Sequence, residues 1–180
     1  MMKILLPLTL LSLNCFAYNR DIDYGDWQDY DGDCQNTRAE VLIARSLSPV
    51  EFTRSDNCYV KSGKWIDYYT NTVYTNAGDL DIDHVLPTRQ HYETIGQYQS
   101  KAKRVEFYND TENTVITRLG FNRSKSDKDL SEFITRVPRE NRCKYIVKYS
   151  GISVKYDITL DNSDNEIIKQ SPACFKTSNQ

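Results

Sequence analysis

The apolar positions of this chain change period several times, and each change marks an element. Apolar residues recur at Val41, Leu42, Ala44 and Leu47, a helical spacing, and Thr37 with Glu40 fits a capping box. The pattern predicts a helix over about 37–47. β-type residues follow at Cys58, Tyr59 and Val60 and again at Trp65, Ile66, Tyr68 and Tyr69, with Ser62-Gly63 between them as the expected turn of a hairpin. Leu80 to Leu86 alternates as a short strand and stops at Pro87. Arg89 to Tyr108 has a helical, basic pattern, and Asn113 to Leu119 is β-branched until Gly120 breaks it. Ser126 to Asp129 opens another helix ahead of Leu130, Phe133 and Ile134, and the chain from about Glu140 is helical again. The expected fold class is α+β, more helix than strand. No repeat or Pro- or Gly-rich linker divides the 180 residues, so a single domain over 18–180 is expected.

The first seventeen residues stand outside that domain. MMKILLPLTLLSLNCFA carries Lys3, an apolar run from Ile4 to Leu13 and small or modest residues ending at Ala17. That is the build of a secretory signal peptide. The run is about ten residues, and a membrane-spanning helix needs roughly 20. The expected product is secreted or periplasmic, with no membrane span and a start near Tyr18. Lipid attachment at Cys15 is the rival reading, against which Asn14 stands where a small residue is expected.

Removal of Cys15 leaves Cys34, Cys58, Cys143 and Cys174. An even number in a small exported chain suggests two disulfides. Chain order favours Cys34 with Cys58 and Cys143 with Cys174, each closing a local loop. The alternative, a zinc site, lacks a Cys-x-x-Cys pair and has only His84 and His91 to draw on.

Charge alters the picture by its distribution. From Tyr18 to Asp83 there are 6 Lys and Arg against 13 Asp and Glu; from Lys101 to Lys148 there are 12 against 7. The second half can carry a polyanion-binding patch or simply solvated helix faces. The net charge of −2 excludes avid nonspecific binding to nucleic acid by the molecule as a whole, so such binding must rest on a local patch.

The chemistry concentrates between Leu80 and Phe133, in LDIDHVLP at 80–87, TENTVIT at 111–117 and FNRSKSDKDL at 121–130. A strand, strand, helix unit brings the end of its first strand to the start of its helix, where Asp83, His84 and Asn122 converge. Asp83 and Asn122 offer oxygen ligands suited to a hard divalent cation, Mg²⁺ first and Mn²⁺ or Ca²⁺ next, with positions left open for phosphate oxygens. His84 points to the opposite strand face, and a neutral imidazole with a pKa near 6.5 is matched to deprotonating a water. Asn113 holds either the loop backbone or the imidazole. Arg123, Lys125 and Lys128 are expected where a phosphate backbone passes.

These segments resemble the ββα-metal motif of HNH endonucleases, in the version with Asn where the last His usually stands. Asp-x-Asp-His-x-x-Pro followed by Asn-Arg-x-Lys-Ser-Asp is similar to the HNH domain of the CRISPR effector nucleases. Asp-Cys-Gln-Asn-Thr-Arg-x-Glu-Val-Leu at Asp33 to Leu42 resembles small secreted bacterial HNH-family proteins, and the wider likeness runs from Trp27 to Cys174. The resemblance implies a ββα-metal nuclease core over about 80–135, with surrounding helices and a β-hairpin. It implies Asp83 and Asn122 as metal ligands, His84 as general base, Asn113 as the central Asn, and products with a 5′-phosphate and a 3′-hydroxyl. The substrate expected is DNA, with RNA as a further possibility, cut with low sequence specificity by a monomer with no obligate protein partner. The reading from a different class is an exported, inactive module that binds polyanions or a protein on the same fold.

Other residues have plainer readings. His91 is expected on a helix surface. Asp81 shares a strand face with Asp83 and either assists the metal or faces water. Asp29, Asp31, Asp33 and Glu40 have the spacing of a calcium loop, but Cys34 stands where Gly must turn the chain, so an acidic cap with Arg38 paired to it is expected. Trp65, Tyr68 and Tyr69 are expected in the hairpin core rather than stacked on bases.

Overall fold

The computed structural model describes residues 17–176. In chain order the helices and strands are α1 (Arg20–Asp23), α2 (Thr37–Ala44), β1 (Glu51–Phe52), β2 (Val60–Ile66), β3 (Val73–Asn76), β4 (Leu80–His84), α3 (Thr88–Thr94), α4 (Lys101–Tyr108), β5 (Thr114–Arg118), α5 (Leu119–Lys125), α6 (Leu130–Phe133), α7 (Arg139–Lys155) and α8 (Asn162–Lys169). The class is α+β with two disulfides. The expected leader, residues 1–17, lies outside the described residues apart from Ala17, and so does Cys15. No helix among the described residues is long and apolar enough to cross a membrane.

The strands form two antiparallel sheets. One has the order β1-β2-β3, and the other pairs β4 with β5. In the second, Asp83 opposes Val115 and His84 opposes Thr114. Alternation along the strands gives that sheet two apolar faces. Leu80, Ile82 and Ile116 pack with Trp65, Val41 and Leu42 of β2 and α2. Val115 faces the larger core of Tyr69, Phe107, Phe133, Tyr145 and Tyr149.

The hairpin differs from expectation. Ser62 and Gly63 are not a turn; β2 runs through them. A Cβ on Gly63 would come within 2.7 Å of the Trp65 indole, so this glycine answers a close approach and not a reversal of the chain. The reversal falls after Asp67, whose Oδ1 accepts hydrogen bonds from the backbone N–H groups of Tyr69 and Thr70. Trp65 and Tyr69 are fully buried, as core residues of the hairpin should be.

Two helix starts also shift. Asn36, not Thr37, caps α2 by accepting from the Ala39 N–H, and the Thr37 hydroxyl instead donates to the Gln28 carbonyl. The stretch 89–108 is two helices. Gly96 separates them where a Cβ would meet His91 Nδ1 at 2.7 Å, and Ser100 then caps α4. The helix expected at 126–129 begins on Asp129, which forms a capping box with Glu132.

Cys34 bonds Cys58, and Cys143 bonds Cys174. Each bridge fixes a segment outside the β4–β5 sheet. The first ties the loop before α2 to the approach to β2, and the second ties α7 to the C-terminal turn.

Candidate functional site

Among the described residues the sheet of β4 and β5 has two strands, so one edge of β4 has no strand beside it. A cavity of about 360 Å³ opens along β4, lined by Asp81, Ile82, Asp83, His84, Pro87 and Thr88, by Asn122, Arg123, Ser126 and Asp127 after β5, and by Arg20, Trp27 and Tyr108. The structure thus brings Asp83, His84, Asn122 and Arg123 to one place.

Asp83 is almost completely buried. Its Oδ2 accepts a hydrogen bond of 2.6 Å from the Tyr69 hydroxyl, and its Oδ1 accepts one of 3.1 Å from Lys125 Nζ. Burial raises the Asp83 pKa, and the Lys125 charge and the Tyr69 hydrogen bond pull it back down. Tyr69 is held well above its ordinary value by burial and by the Asp83 charge, so it stays a hydroxyl that donates.

His84 leaves β4 on the other face. Its Nε2 lies 2.6 Å from the Tyr108 carbonyl oxygen. A carbonyl only accepts, so Nε2 carries the proton and Nδ1 keeps its lone pair. The ring is stacked against Trp27 at 5.2 Å and 9°. Burial depresses the His84 pKa to about 4, the Tyr108 hydrogen bond opposes this, and the Lys125 charge adds to it. The imidazole is therefore neutral at neutral pH.

Asn113 holds the loop backbone and not the imidazole. Its Oδ1 accepts from the Leu86 N–H at 2.9 Å and its Nδ2 donates to the Leu86 carbonyl at 3.0 Å. Its own carbonyl accepts from the Val85 N–H. These contacts fix the chain where it leaves His84, in a buried stretch whose polar groups have no water to turn to.

α5 follows β5 without a loop and returns across β4. Its fourth and seventh residues do the docking: Asn122 Nδ2 donates to Asp81 Oδ2 at 2.8 Å, and Lys125 reaches Asp83. Asp81 is thereby bonded to Asn122 and half-buried, rather than facing open water. Asp67 supports this geometry from below, its Oδ2 accepting from the Thr117 hydroxyl and the Arg118 N–H just before α5.

Several expected positions are corrected. Lys125 does not lie beside a passing phosphate backbone, because its side chain is 0% exposed and its ammonium is spent on Asp83 and the His84 carbonyl. Lys128 is exposed and is not among the residues lining the cavity; its Nζ donates to the Ser124 carbonyl. His91 is not on a surface: it is fully buried, 2.6 Å from the Tyr24 hydroxyl through Nδ1 and stacked on Phe107 at 3.8 Å. Arg38 does not pair with the acidic loop but donates to the Ala77 and Leu80 carbonyls. Asp29, Asp31 and Asp33 do come together, all exposed, and serve the loop: Asp29 accepts from the Gly32 and Cys34 N–H groups.

Sequence reasoning missed Arg20, Trp27 and Tyr108 as walls of the cavity, and Tyr69 as a partner of Asp83. Arg20 donates to the Tyr108 hydroxyl from α1 and is half exposed. Nothing in the spacing of the acidic segment 21–33 singles out Trp27, because its partner lies 57 residues on, at His84.

Oxygen donors of the kind a hard divalent cation takes line the cavity. Asp83 supplies a carboxylate, Asn122 an amide oxygen that accepts no hydrogen bond among the described residues, and Asp81 a second carboxylate held by Asn122. Asp83's two bonds leave each of its oxygens a further lone pair.

No protein-family model matches the chain, and no solved structure matches it. A protein of Arthroderma benhamiae described as an uncharacterized secreted protein is 26% identical over 153 residues, which is 84% of this chain and 72% of the relative. That description gives a location and no activity. With its paired cysteines, this chain is likewise a secreted protein.

Proposed function

We propose that the protein is an exported, divalent-metal-dependent endonuclease of the HNH type that hydrolyses phosphodiester bonds of DNA, and of RNA where offered. The observation that carries this reading is the convergence of Asp83, His84 and Asn122 on one open cavity, with Asn113 clamping the loop that follows His84. On this reading β4, β5 and α5 are the ββα-metal core, with α3 and α4 inserted between its strands.

Asp83 and Asn122 would hold the cation, Mg²⁺ in the first instance. When bound, it supplies positive charge against the scissile phosphate and the leaving oxygen. His84 Nδ1 takes a proton from the attacking water, and the Tyr108 carbonyl keeps the other ring nitrogen protonated so that the base is always the same atom. Arg123 and Arg20, on different walls of the cavity, supply guanidinium groups to the phosphates. Attack in line with the 3′ oxygen leaves a 5′-phosphate and a 3′-hydroxyl.

One observation favours the rival reading of an inactive binding module: both oxygens of Asp83 already have partners inside the protein. The two readings part in one experiment. Oxidised protein lacking the leader is incubated with supercoiled plasmid and Mg²⁺, with chelator, and as His84→Ala. Nicking that requires both the metal and His84 is the expected result. Retention of DNA in a gel shift without cleavage, under Mg²⁺, Mn²⁺ and Ca²⁺ alike, gives the molecule to the binding module.

A further inference from the structure

The Lys125 ammonium is more deeply buried than any group it bonds. Its side chain is 0% exposed and that of Asp83 is 4% exposed, with 3.1 Å between Nζ and Oδ1. A second proton of the same ammonium goes to the His84 carbonyl at 2.7 Å. An ammonium so placed touches no solvent, so it contributes nothing to capturing a substrate from solution. Its two acceptors are the carboxylate and the backbone of the adjacent residues on which the candidate chemistry turns.

Charge bookkeeping gives it a different task. A carboxylate buried without a counter-charge is strongly disfavoured, and breaking a buried pair by removing one partner is far worse than never having had the pair. The Asp83 carboxylate is instead held in place by partners of its own chain: Lys125 Nζ lies on Oδ1 at 3.1 Å. Lys125 lies three residues beyond Asn122 on α5, so the helix that delivers the amide to β4 delivers the ammonium with it. Tyr69 Oη, from the hairpin, fixes the other oxygen.

We infer that Lys125 is a built-in counter-ion that stands in for the metal: its buried ammonium holds the Asp83 carboxyl in position while the site is empty of cation, and lowers the site's affinity for a divalent cation in return. This rests on the reading that Asp83 holds such a cation. Two positive charges then share one carboxylate, and their mutual repulsion at this depth is poorly screened. The consequence is a protein whose fold does not depend on metal and whose metal is bound loosely and exchanges readily.

The test uses Lys125→Met, which keeps the length of the side chain without its charge, and Asp83→Asn/Lys125→Met, which removes both charges. Mn²⁺ binding is measured by calorimetry and thermal unfolding is followed in chelator and in Mn²⁺. Lys125→Met is expected to bind Mn²⁺ about tenfold more tightly than the parent. Its unfolding temperature should be depressed in chelator and largely restored by Mn²⁺, while the parent barely responds. The double variant should unfold in chelator above Lys125→Met and ignore Mn²⁺. Mn²⁺ binding by folded Lys125→Met at parental strength or weaker overturns the counter-ion role, and so does a Lys125→Met protein that stays unfolded in saturating Mn²⁺. Absence of Mn²⁺ binding by the folded parent overturns this inference together with the metal-nuclease reading; parental plasmid cleavage that survives chelator removes the metal alone and leaves the nuclease.

Discussion

The indole of Trp27 and the imidazole of His84 lie nearly parallel, 9° apart in plane and 5.2 Å between centroids. Tyr108 closes on the imidazole at 4.6 Å, and Phe107 stacks at 6.5 Å. An imidazolium in this cage would lose its hydration, and the ring is accordingly held neutral, at a pKa of about 4. Trp27→Ala admits water to one face of the ring. Its expected signature is a His84 titration midpoint, followed by NMR, displaced upward by about one unit toward the ordinary value. Trp27→Phe should move it less. A midpoint unmoved by loss of the indole would show that the cage is not what keeps the ring neutral.

The same depression governs the proposed reaction. A base that is neutral down to about pH 4 is available throughout the neutral range. Cleavage should thus show no inflection near pH 6.5 and should fall about tenfold per unit only below the His84 midpoint. Single-turnover rates between pH 4 and 8, in buffers of constant ionic strength, check this. An inflection at about 6.5 would mean that the reacting imidazole is solvated.

Both histidines make folding sensitive to acid. His91, like His84, is depressed to about 4 by burial, whereas the unfolded chain protonates near the ordinary value of about 6.5. The folded state binds fewer protons between these limits, so the stability contributed by the two neutral rings is full above about pH 6.5 and is lost as the pH falls toward 4. Urea unfolding midpoints should drop steadily over that window. His91→Gln, which cannot ionise, should flatten the dependence.

Asn113 offers a sharper structural test. Truncation to Ala leaves the N–H and the carbonyl of Leu86 without their partners in a buried loop. Two such losses cost about 2–4 kcal/mol. Asn113→Asp still accepts from the N–H but sets a carboxylate against the carbonyl, and should fare no better. Denaturant unfolding of the three proteins gives the comparison; a loss below about 1 kcal/mol in Asn113→Ala would mean that the loop finds other partners.

What the sequence made legible was whatever depends on near neighbours. The alternation at Leu80 to His84 and the β-branched run at Thr114 to Thr117 both became elements close to where their patterns lie. The residues gathered at the cavity were named from two short segments because β4 and α5 each carry their chemistry locally. Burial of the polar side chains was not legible. Lys125 and His91 have the composition of surface residues, and only the return of α5 across β4 and the packing of α3 on Phe107 put them inside. Ser62-Gly63 misled because glycine serves both turns and close approaches, and only the position of the Trp65 ring distinguishes them. Trp27 was invisible because nothing adjacent in the chain needs it.

The register of β4 against β5 also sets the order of assembly. Leu80 pairs with Arg118 and His84 with Thr114, so the ladder is closed by a loop of about thirty residues and no tight turn can nucleate it. A chain growing from its N-terminus has Asp83 and His84 long before it has their strand partner, the Asn113 clamp or α5. On the proposed nuclease reading the nascent polypeptide is therefore inert until α5 has been made, and a fragment ending at the insert should be as inactive as one lacking the histidine.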